Sequence, residues 1–534
     1  MTADTAATAA LGPDPITGSG SGATADDTTI SWADFRTWED QLTTCSHPIQ
    51  LRGRIDAIDL ATGELVPVYD STAEPSGVLH VACGNRRETV CPACSAVYKR
   101  DARQLVRAGL AGGKGIPETI TAHPCVFATL TAPSFGPVHA RRMRGKTVLP
   151  CRPRRDTKAR RCPHGRDISC PTRHAETDHR LGQPMCPDCY DYTSAVLFNA
   201  YAGDLWRRFI TYMPRHLARL AGITQKELFS QVRIRFVKVA EYQARGVVHF
   251  HAVIRLDAPG EDYQPPPAAY TAGLLCDAID QAAAVTLPVE HGDQVVMLGF
   301  GTQTDRRSVH RDTIVASGKP LDAAAVANYI AKYATKTLHA PGVPDTRIRH
   351  ASEIGGLRCS AHYRAMITTA WDLGSRQATG DVRFRQWAHM LGYGGHFLTK
   401  SRRYSVTFGQ LRAARTSYRR AQRHPDGERD PWGRPLDETV VLILTTWTYA
   451  GTSHNTATPG AELAAASAAR TREHLRRLGR DSLTLECQPA FDSKPANRRR
   501  SDSSHEPRNR AAPDTGGSRR RTRDQAAVYP AAGR

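Results

Sequence analysis

Apolar residues recur along this chain with two different periods, and each period predicts a different element. Residues 194–220 repeat large apolar side chains at helical spacing, which predicts an amphipathic helix. Residues 127–131 alternate apolar with small polar side chains, as a strand with one buried face does. Two longer segments, 232–242 and 247–256, flank a short turn that contains Gly246, so we expect a β-hairpin.

Two further helices are predicted. Residues 93–111 are expected to be helical, and residues 322–337 are rich in alanine, a strong helix former. The order strand, helix, hairpin, helix predicts an α+β fold, in which a central antiparallel sheet packs with helices.

The charge of the chain favours a polyanionic partner. Its 534 residues carry a net charge of +20, and neutralisation of phosphates by Lys and Arg accounts for most non-specific affinity for nucleic acid. A membrane is disfavoured because no basic amphipathic helix stands out, and the longest aliphatic run near the C-terminus, 440–444, is too short to span a bilayer. Residues 1–30 contain no Lys or Arg and so lack the start of a secretory signal. We therefore expect a cytoplasmic protein that binds nucleic acid.

The thirteen cysteines indicate metal binding, because disulfides are rare in the cytoplasm. Two CxxC pairs lie among further Cys and His residues, and four such ligands form a closed, structural zinc site. Unligated cysteines are the alternative, which fits the singly scattered ones better than the clusters. The first predicted ligand set is Cys45, Cys83, Cys91 and Cys94, with His47 as an alternative to Cys45. The second is Cys162, Cys170, Cys186 and Cys189, where His164 or His174 could replace one ligand and Cys151 is a further candidate.

Two histidines in the predicted hairpin indicate a different metal site. His249 and His251 are two residues apart in a strand, so they point to the same face, and paired neutral imidazoles suit a divalent ion. Structural histidines are the alternative. Glu241, on the partner strand, is a candidate third ligand or a solvated hairpin end. A three-residue loop would pair it with Val247, on the face of His249, and a four-residue loop with Val248, on the opposite face.

The predicted helix at 322–337 carries two tyrosines and two lysines. Tyr329 and Tyr333 share a face, and Lys332 and Lys336 each follow a tyrosine by three residues. Tyrosine can attack a phosphodiester when a nearby ammonium stabilises its phenolate, and a metal ion would polarise the phosphate. Alone, this string also fits a core tyrosine beside surface lysines. Together with the His-hydrophobe-His strand, it indicates an enzyme that cuts single-stranded DNA and stays covalently attached.

Together these residues resemble the HUH endonucleases, and more closely the rolling-circle replication initiators of actinobacterial plasmids and integrative conjugative elements. The resemblance covers about residues 40–450 and is carried by segments 127–131, 241–251 and 329–336, with further similarity at 83–87, 182–184 and 394–396. It implies an enzyme that uses Mg²⁺ or Mn²⁺ and nicks plasmid origin DNA at a single-stranded or cruciform site. The products would be a 5′-phosphotyrosine and a free 3′-OH primer.

The resemblance also implies residue roles and partners. The residues alone leave the first nucleophile open; the resemblance favours Tyr333, with Tyr329 cleaving the regenerated origin and Lys332 or Lys336 assisting. The glycine-rich segment 112–115 lacks the P-loop spacing. With no ATPase motif evident, a host helicase and a DNA polymerase are expected partners. Three basic residues in the C-terminal region are candidate DNA contacts or an exposed basic strand, namely Lys400, Arg402 and Arg403.

Composition and motifs divide the chain into five parts. Both ends are low in hydrophobic residues and are expected to be disordered, and a Pro-, Arg- and Cys-rich stretch is expected to be an insertion held by metal. The predicted parts are a leader at 1–30, an N-terminal zinc-binding region at 31–125, an HUH endonuclease domain at 126–340 with a zinc-bearing insertion at about 137–192, a mixed C-terminal region with possible DNA contacts at 341–489, and a basic tail at 490–534.

Two other functions remain open at the level of sequence. A relaxase or transposase would use the same chemistry on different DNA, and a zinc-dependent DNA-binding regulator would have no activity. The paired tyrosines and the zinc-bearing insertion favour the replication initiator, and the intact histidines and tyrosines argue against the regulator.

Overall fold

The computed structural model describes residues 45–452, with gaps at residue 75, 155–159, residue 261, 310–322, 337–342, residue 345, 376–383, 424–429 and 436–440. These residues belong to one compact unit, Met1–His474, while the second unit is Leu475–Arg534. The predicted leader at 1–30 and basic tail at 490–534 lie outside the described residues.

The described chain is a mixed α/β structure with antiparallel sheets, as the pattern of periods predicts. Its strands are β1 Ile49–Asp59, β2 Leu65–Asp70, β3 Leu79–Val81, β4 Cys125–Leu130, β5 Arg142–Arg144, β6 Thr147–Leu149, β7 Arg233–Tyr242, β8 Val248–Asp257, β9 Thr286–His291, β10 Gln294–Gly299, β11 Thr304–Ser308, β12 Leu398–Lys400 and β13 Val441–Thr452. Its α-helices are α1 Pro92–Ala111, α2 Tyr192–Leu220, α3 Gln225–Gln231, α4 Ala272–Ala283, α5 Ala323–Thr335, α6 Ala351–Gly355, α7 Ala361–Leu373 and α8 Phe408–Arg423. Among these helices, none combines the length and apolar character needed to cross a membrane.

The central sheet has five strands in the order β11-β4-β8-β7-β12, and every pair is antiparallel. Helices cover both faces, which is why β8 is buried along nearly its whole length. On one face Phe250 and Ile254 belong to the larger core with α2 and α4. On the other face Val253 packs with α1 and α5 in a second core. That second face also carries His249 and His251, so α5 lies over the hairpin.

The central sheet crosses the predicted domain limits. Strand β12 comes from beyond residue 340 and extends the sheet beside β7. A second sheet joins β1, from the predicted N-terminal region, to β13, from the predicted C-terminal region, along eleven paired positions from Ile49 to Asp59. Both pairings connect segments more than 150 residues apart, so strands from the two sides of residue 340 share these sheets.

A buried asparagine on α2 holds the hairpin turn in place. Asn199 is fully buried and donates to the main-chain carbonyls of Gly246 and Leu391 at 2.9 Å each. Its side-chain oxygen accepts from the N–H of Val248 at 2.9 Å. Gly246 has φ +73°, and a Cβ there would lie 2.8 Å from the Leu391 side chain, so only glycine suits this turn. The hairpin is therefore fixed to the helix behind it.

Replacing Asn199 with alanine is expected to destabilise the protein by about 2–4 kcal/mol, because three hydrogen bonds are lost and buried main-chain groups are left without partners. Urea denaturation followed by circular dichroism measures the loss. The matched control is Thr211→Ala on the exposed side of the same helix, which should change stability by less than about 0.5 kcal/mol. Equal effects of the two substitutions would contradict the bracing role of Asn199.

Candidate functional site

The β7–β8 hairpin brings one carboxylate and two imidazoles together. Glu241 pairs directly with His249, and the turn is five residues long, 243–247. This register differs from the two considered from the sequence, which had turns of three and four residues. Glu241 consequently lies on the same face as the histidines. Its Oε2 is 3.1 Å from Nε2 of His249 and 3.1 Å from Nε2 of His251.

Two side chains of β4 fix the orientation of His251. Thr129 pairs with His251 across the sheet, and its Oγ1 lies 3.0 Å from Nδ1 of the imidazole. The Phe127 ring stacks on His251 with ring centres 5.9 Å apart and planes 6° apart. A hydrogen bond at Nδ1 leaves Nε2 directed at Glu241 as the ligand atom. The alternation along this strand indicates that Thr129 and Phe127 share a face, but the sequence alone assigns neither of them a role.

The three donors fit a divalent metal ion. Ligand atoms about 2.1 Å from an ion and at right angles to each other lie about 3.0 Å apart, and the observed separations are 3.1 Å. Burial lowers the pKa of His251, which keeps the imidazole neutral and able to bind a metal. Burial opposes ionisation of Glu241, but its side-chain contacts with His249 and His251 outweigh burial and lower the pKa of the carboxyl to about 2.

Helix α5 places both predicted tyrosines beside this group. The rings of Tyr329 and Tyr333 are 4.5 Å apart, and the Tyr333 ring lies 5.5 Å from that of His251. The Tyr329 hydroxyl is 3.3 Å from Nε2 of His251. Burial raises the pKa of the Tyr329 hydroxyl well above its usual value. The two tyrosines therefore share a site, and the hydroxyl of Tyr329 is the one in contact with His251.

The two predicted lysines also differ. Lys336 places its Nζ 3.0 Å from Oε1 of Glu241 and 4.9 Å from the centre of the Tyr333 ring. Lys332 is exposed, and its Nζ is 5.9 Å from the same ring. Lys336 thus connects the carboxylate to Tyr333, whereas Lys332 adds positive charge from the solvent side.

Arg86 binds the end of the tyrosine helix. Its Nη1 donates to the carbonyl of Ala334 at 3.1 Å and to that of Lys336 at 3.4 Å. The guanidinium lies over the Phe397 ring at 3.7 Å. Burial lowers the pKa of Arg86 to about 10, which still leaves it charged at neutral pH, as suits the negative end of a helix. The sequence alone assigns Arg86 no role, although the similarity at 83–87 includes it.

A cleft of about 240 Å³ opens beside Tyr329. It is bounded by Phe127 and Thr129 of β4 and by Asp305 and Arg307 of the neighbouring edge strand. Arg307 pairs with Asp305 at 3.0 Å, and 45% of its side chain is exposed. The cleft therefore opens at Tyr329, and the ion pair of Arg307 with Asp305 is part of its lining.

The four thiols of the first predicted zinc set come together. Cys94 Sγ is 3.7 Å from Sγ of both Cys45 and Cys83, and Cys91 Sγ is 3.9 Å from that of Cys45. Four sulfurs bound tetrahedrally at 2.3 Å from zinc lie about 3.8 Å apart, so the spacing fits the ion. His47 does not belong to this group.

The second predicted zinc set is corrected by the structure. Cys170 does not join the other three cysteines, because its main chain pairs with Arg152 in a short β-bridge that carries its thiol elsewhere. His164 takes the fourth position, with Nδ1 3.2 Å from Sγ of Cys189 and 3.8 Å from that of Cys186. The group formed is Cys162, His164, Cys186 and Cys189.

The three predicted DNA contacts lie at and just after β12. Lys400 donates to three main-chain carbonyls at 2.8–3.4 Å, which ties its ammonium to its own loop. Arg403 donates to the carbonyl of Gly260 at 2.9 Å, and Arg402 is exposed. Their contact with DNA stays a prediction, and Lys400 has in addition a structural role.

Comparisons with known proteins agree with the replication initiator that the sequence resembles. The family model described as "Replication initiator protein, pSAM2" matches residues 32–470, which include the hairpin, α5 and every Cys and His group above. A replication initiator protein of Streptomyces ambofaciens is 42% identical over 470 residues, covering 85% of this chain and 95% of that protein. No solved structure matches the chain. The chain therefore belongs to the RepSA family of plasmid replication initiator proteins.

Proposed function

We propose that this protein starts rolling-circle replication by nicking one strand of its plasmid origin, with the fold and chemistry of an HUH endonuclease. The observation that carries the proposal is the convergence of Glu241, His249 and His251 with Tyr333 and Lys336 on one face of an antiparallel sheet. Phosphodiester cleavage requires three components close together: ligands for a divalent ion, a nucleophile and a cation.

Glu241, His249 and His251 would hold Mn²⁺ or Mg²⁺. Two imidazole donors favour Mn²⁺, because Mg²⁺ takes mainly oxygen ligands. Such an ion, when bound, polarises the scissile phosphate and stabilises the charge of the displacement. The contact of Thr129 with Nδ1 of His251 keeps the ligand nitrogen in position.

Tyr333 is the proposed first nucleophile. The Tyr329 hydroxyl is engaged by His251, and burial disfavours its phenolate, whereas the ring of Tyr333 lies beside the ammonium of Lys336. In the reaction the Tyr333 hydroxyl gives its proton to solvent, and its oxygen forms a bond to phosphorus while the bond from phosphorus to the 3′ oxygen breaks. The released oxygen takes up a proton from solvent and becomes the 3′-OH primer. Tyr329 would repeat this attack at the regenerated origin.

The scissile strand would reach Tyr329 through the cleft beside it, where a phosphate would replace Asp305 as the partner of Arg307. The net charge of +20 adds non-specific attraction to DNA. A host DNA polymerase would extend the 3′-OH and a host helicase would unwind the duplex, in the cytoplasm where a plasmid is replicated.

The two groups Cys45–Cys83–Cys91–Cys94 and Cys162–His164–Cys186–Cys189 would each bind a structural zinc ion. Each offers four protein ligands and so leaves no open position for catalysis. The first group begins α1 and, through Arg86, is linked to the end of α5. Zinc there would therefore help to position Lys336.

Incubation with labelled single-stranded DNA from the plasmid's own origin tests the proposed reaction. With Mn²⁺ we expect a protease-sensitive covalent adduct on a denaturing gel, and with EDTA or a scrambled strand we expect none. Binding without an adduct, on both origin strands and with either metal, would instead support the non-catalytic regulator. Adducts formed equally well on transfer-origin or element-end sequences would support a relaxase or transposase.

Arg86→Met is expected to lower the rate of adduct formation about 10- to 100-fold, because small displacements of a group that acts in the reaction have effects of this size. Methionine keeps an unbranched apolar chain near Phe397 and removes the guanidinium with its bonds to the end of α5. Single-turnover cleavage measures the effect. Arg87→Met is the control one residue away, and similar losses in both variants would contradict the role of Arg86.

A further inference from the structure

A third group of metal-binding side chains lies in the insertion, apart from the two zinc sets already described. It consists of His139, Cys151, Cys170 and His174, whose ligand atoms all lie within 4.8 Å of one another. Three of the four residues are buried, with Cys151 at 2% and His174 at 1% exposed. The group includes Cys170, which the sequence had placed in the second predicted zinc set.

The spacing of this group fits a tetrahedral ion. Zinc bonds of about 2.3 Å to sulfur and about 2.05 Å to nitrogen place neighbouring S and N ligands about 3.6 Å apart and two N ligands about 3.3 Å apart. The observed separations are 3.5 Å from Cys170 Sγ to His174 Nε2 and 3.2 Å from His174 Nε2 to His139 Nδ1. Both separations are therefore those of ligands that share one tetrahedral ion, and Cys151 lies within 4.8 Å of the other three ligand atoms.

A carboxylate supports the group from outside, as is usual for zinc-bound histidine. Asp178 Oδ2 lies 2.7 Å from Nδ1 of His174, so Nε2 of that ring is directed at Cys170 and His139. Asp178 is itself held by Arg180 at 2.9 Å. The N–H of Ala140 donates to Sγ of Cys151 at 3.2 Å, a contact that stabilises a thiolate. These contacts fix the donors before any ion binds.

We propose that the insertion binds a further structural zinc ion through His139, Cys151, Cys170 and His174. The insertion then holds two zinc ions, and the described residues hold three. This inference rests on the ligand geometry alone and does not depend on the nicking reaction. A segment with few apolar residues obtains from two metal sites the rigidity that a hydrophobic core gives elsewhere.

The same site anchors the insertion to the hairpin that carries the nuclease ligands. The main chain of His139 exchanges hydrogen bonds with Gly182 and Gln183 at 2.8 and 2.9 Å. Gly182 lies against the turn of the hairpin so closely that a Cβ would stand 2.0 Å from the carbonyl oxygen of Ala244. Loss of this zinc therefore disturbs the turn that follows Glu241.

Native mass spectrometry of the full chain, loaded with zinc and washed with a weak chelator, tests the proposal. We expect three zinc ions per chain, and two in each of the variants Cys151→Ser and His139→Ala. Cys94→Ser, in the first zinc set, should also retain two, and the double variant Cys94→Ser/Cys151→Ser should retain one. Two zinc ions in the wild-type protein at saturation, or three in Cys151→Ser, would overturn the inference.

Cobalt substitution of the wild-type protein gives an answer even if these variants fail to fold. The intensity of the sulfur-to-cobalt charge-transfer band reports the number of thiolates bound. The first zinc set has four cysteines, the set with His164 has three and the set with His139 has two. Three cobalt ions per chain should therefore bind nine thiolates. Saturation at two cobalt ions and seven thiolates would show that the group of His139, Cys151, Cys170 and His174 binds no metal.

Discussion

Tyr333→Phe is expected to abolish the covalent adduct with origin DNA, lowering its rate of formation by on the order of 10³-fold or more, as removal of a nucleophile does in other enzymes. Only a hydroxyl is lost. The ring keeps its packing against Tyr329 and under the ammonium of Lys336, at 4.5 and 4.9 Å. The melting temperature should therefore change little. Adducts of the wild-type and variant proteins are compared on denaturing gels in single-turnover reactions with Mn²⁺.

Tyr329→Phe is the matched control, because it removes the same atom four residues away on the same helix. It should still form the first adduct at a rate within about tenfold of the wild type, since the proposed nucleophile is intact. Its deficit should appear in the second cleavage, when the adduct is given a fresh origin strand. Normal adduct formation by Tyr333→Phe together with its loss in Tyr329→Phe would reverse the assigned roles. Peptide mapping of the wild-type adduct gives an independent answer.

His249→Ala is expected to reduce cleavage about 100-fold, which corresponds to about 3 kcal/mol of lost transition-state stabilisation. It should also raise the Mn²⁺ concentration needed for half-maximal activity. His249 is the better ligand to replace, since 14% of its side chain is exposed, whereas the buried His251 contacts Thr129, Phe127 and Tyr329. The variant should consequently remain folded. A metal titration of the cleavage rate separates weaker metal binding from slower chemistry.

His216→Ala is a suitable control for this experiment. His216 lies on α2, which packs against the opposite face of the central sheet, so its loss should leave the metal titration unchanged. An unaltered titration curve in His249→Ala would show that the imidazole is not a ligand. A folding defect would be seen as a lower melting temperature in the absence of metal.

Local chemistry and periodicity were enough to predict the elements that bear the site. The two-residue period of a strand puts His249 and His251 on one face, and the helical period does the same for Tyr329 and Tyr333, whatever the rest of the chain does. The observed strands β7 and β8 begin and end within one residue of the predicted 232–242 and 247–256. The CxxC pairs likewise marked both zinc sets, because their spacing is local.

Contacts between distant segments were decided only by the tertiary structure. The turn of 243–247 set the register that brings Glu241 to the histidines, since one residue more or less would turn its side chain to the other face. Thr129 meets His251 only because β4 pairs with β8, and Arg86 meets α5 across 248 residues of sequence. Cys170 pairs with Arg152 in a β-bridge and therefore lies with His139, not with the cysteines of the second predicted zinc set.

The sequence by itself thus determined the kinds of residue, their helical or strand presentation and the family to which the chain belongs. Packing alone determined which carboxylate joins the histidines, which lysine reaches that carboxylate and which four Cys and His side chains come together. The physical reason is that side-chain direction follows from dihedral angles of the local chain. Distances between segments depend instead on the register of strands and on burial across the whole fold.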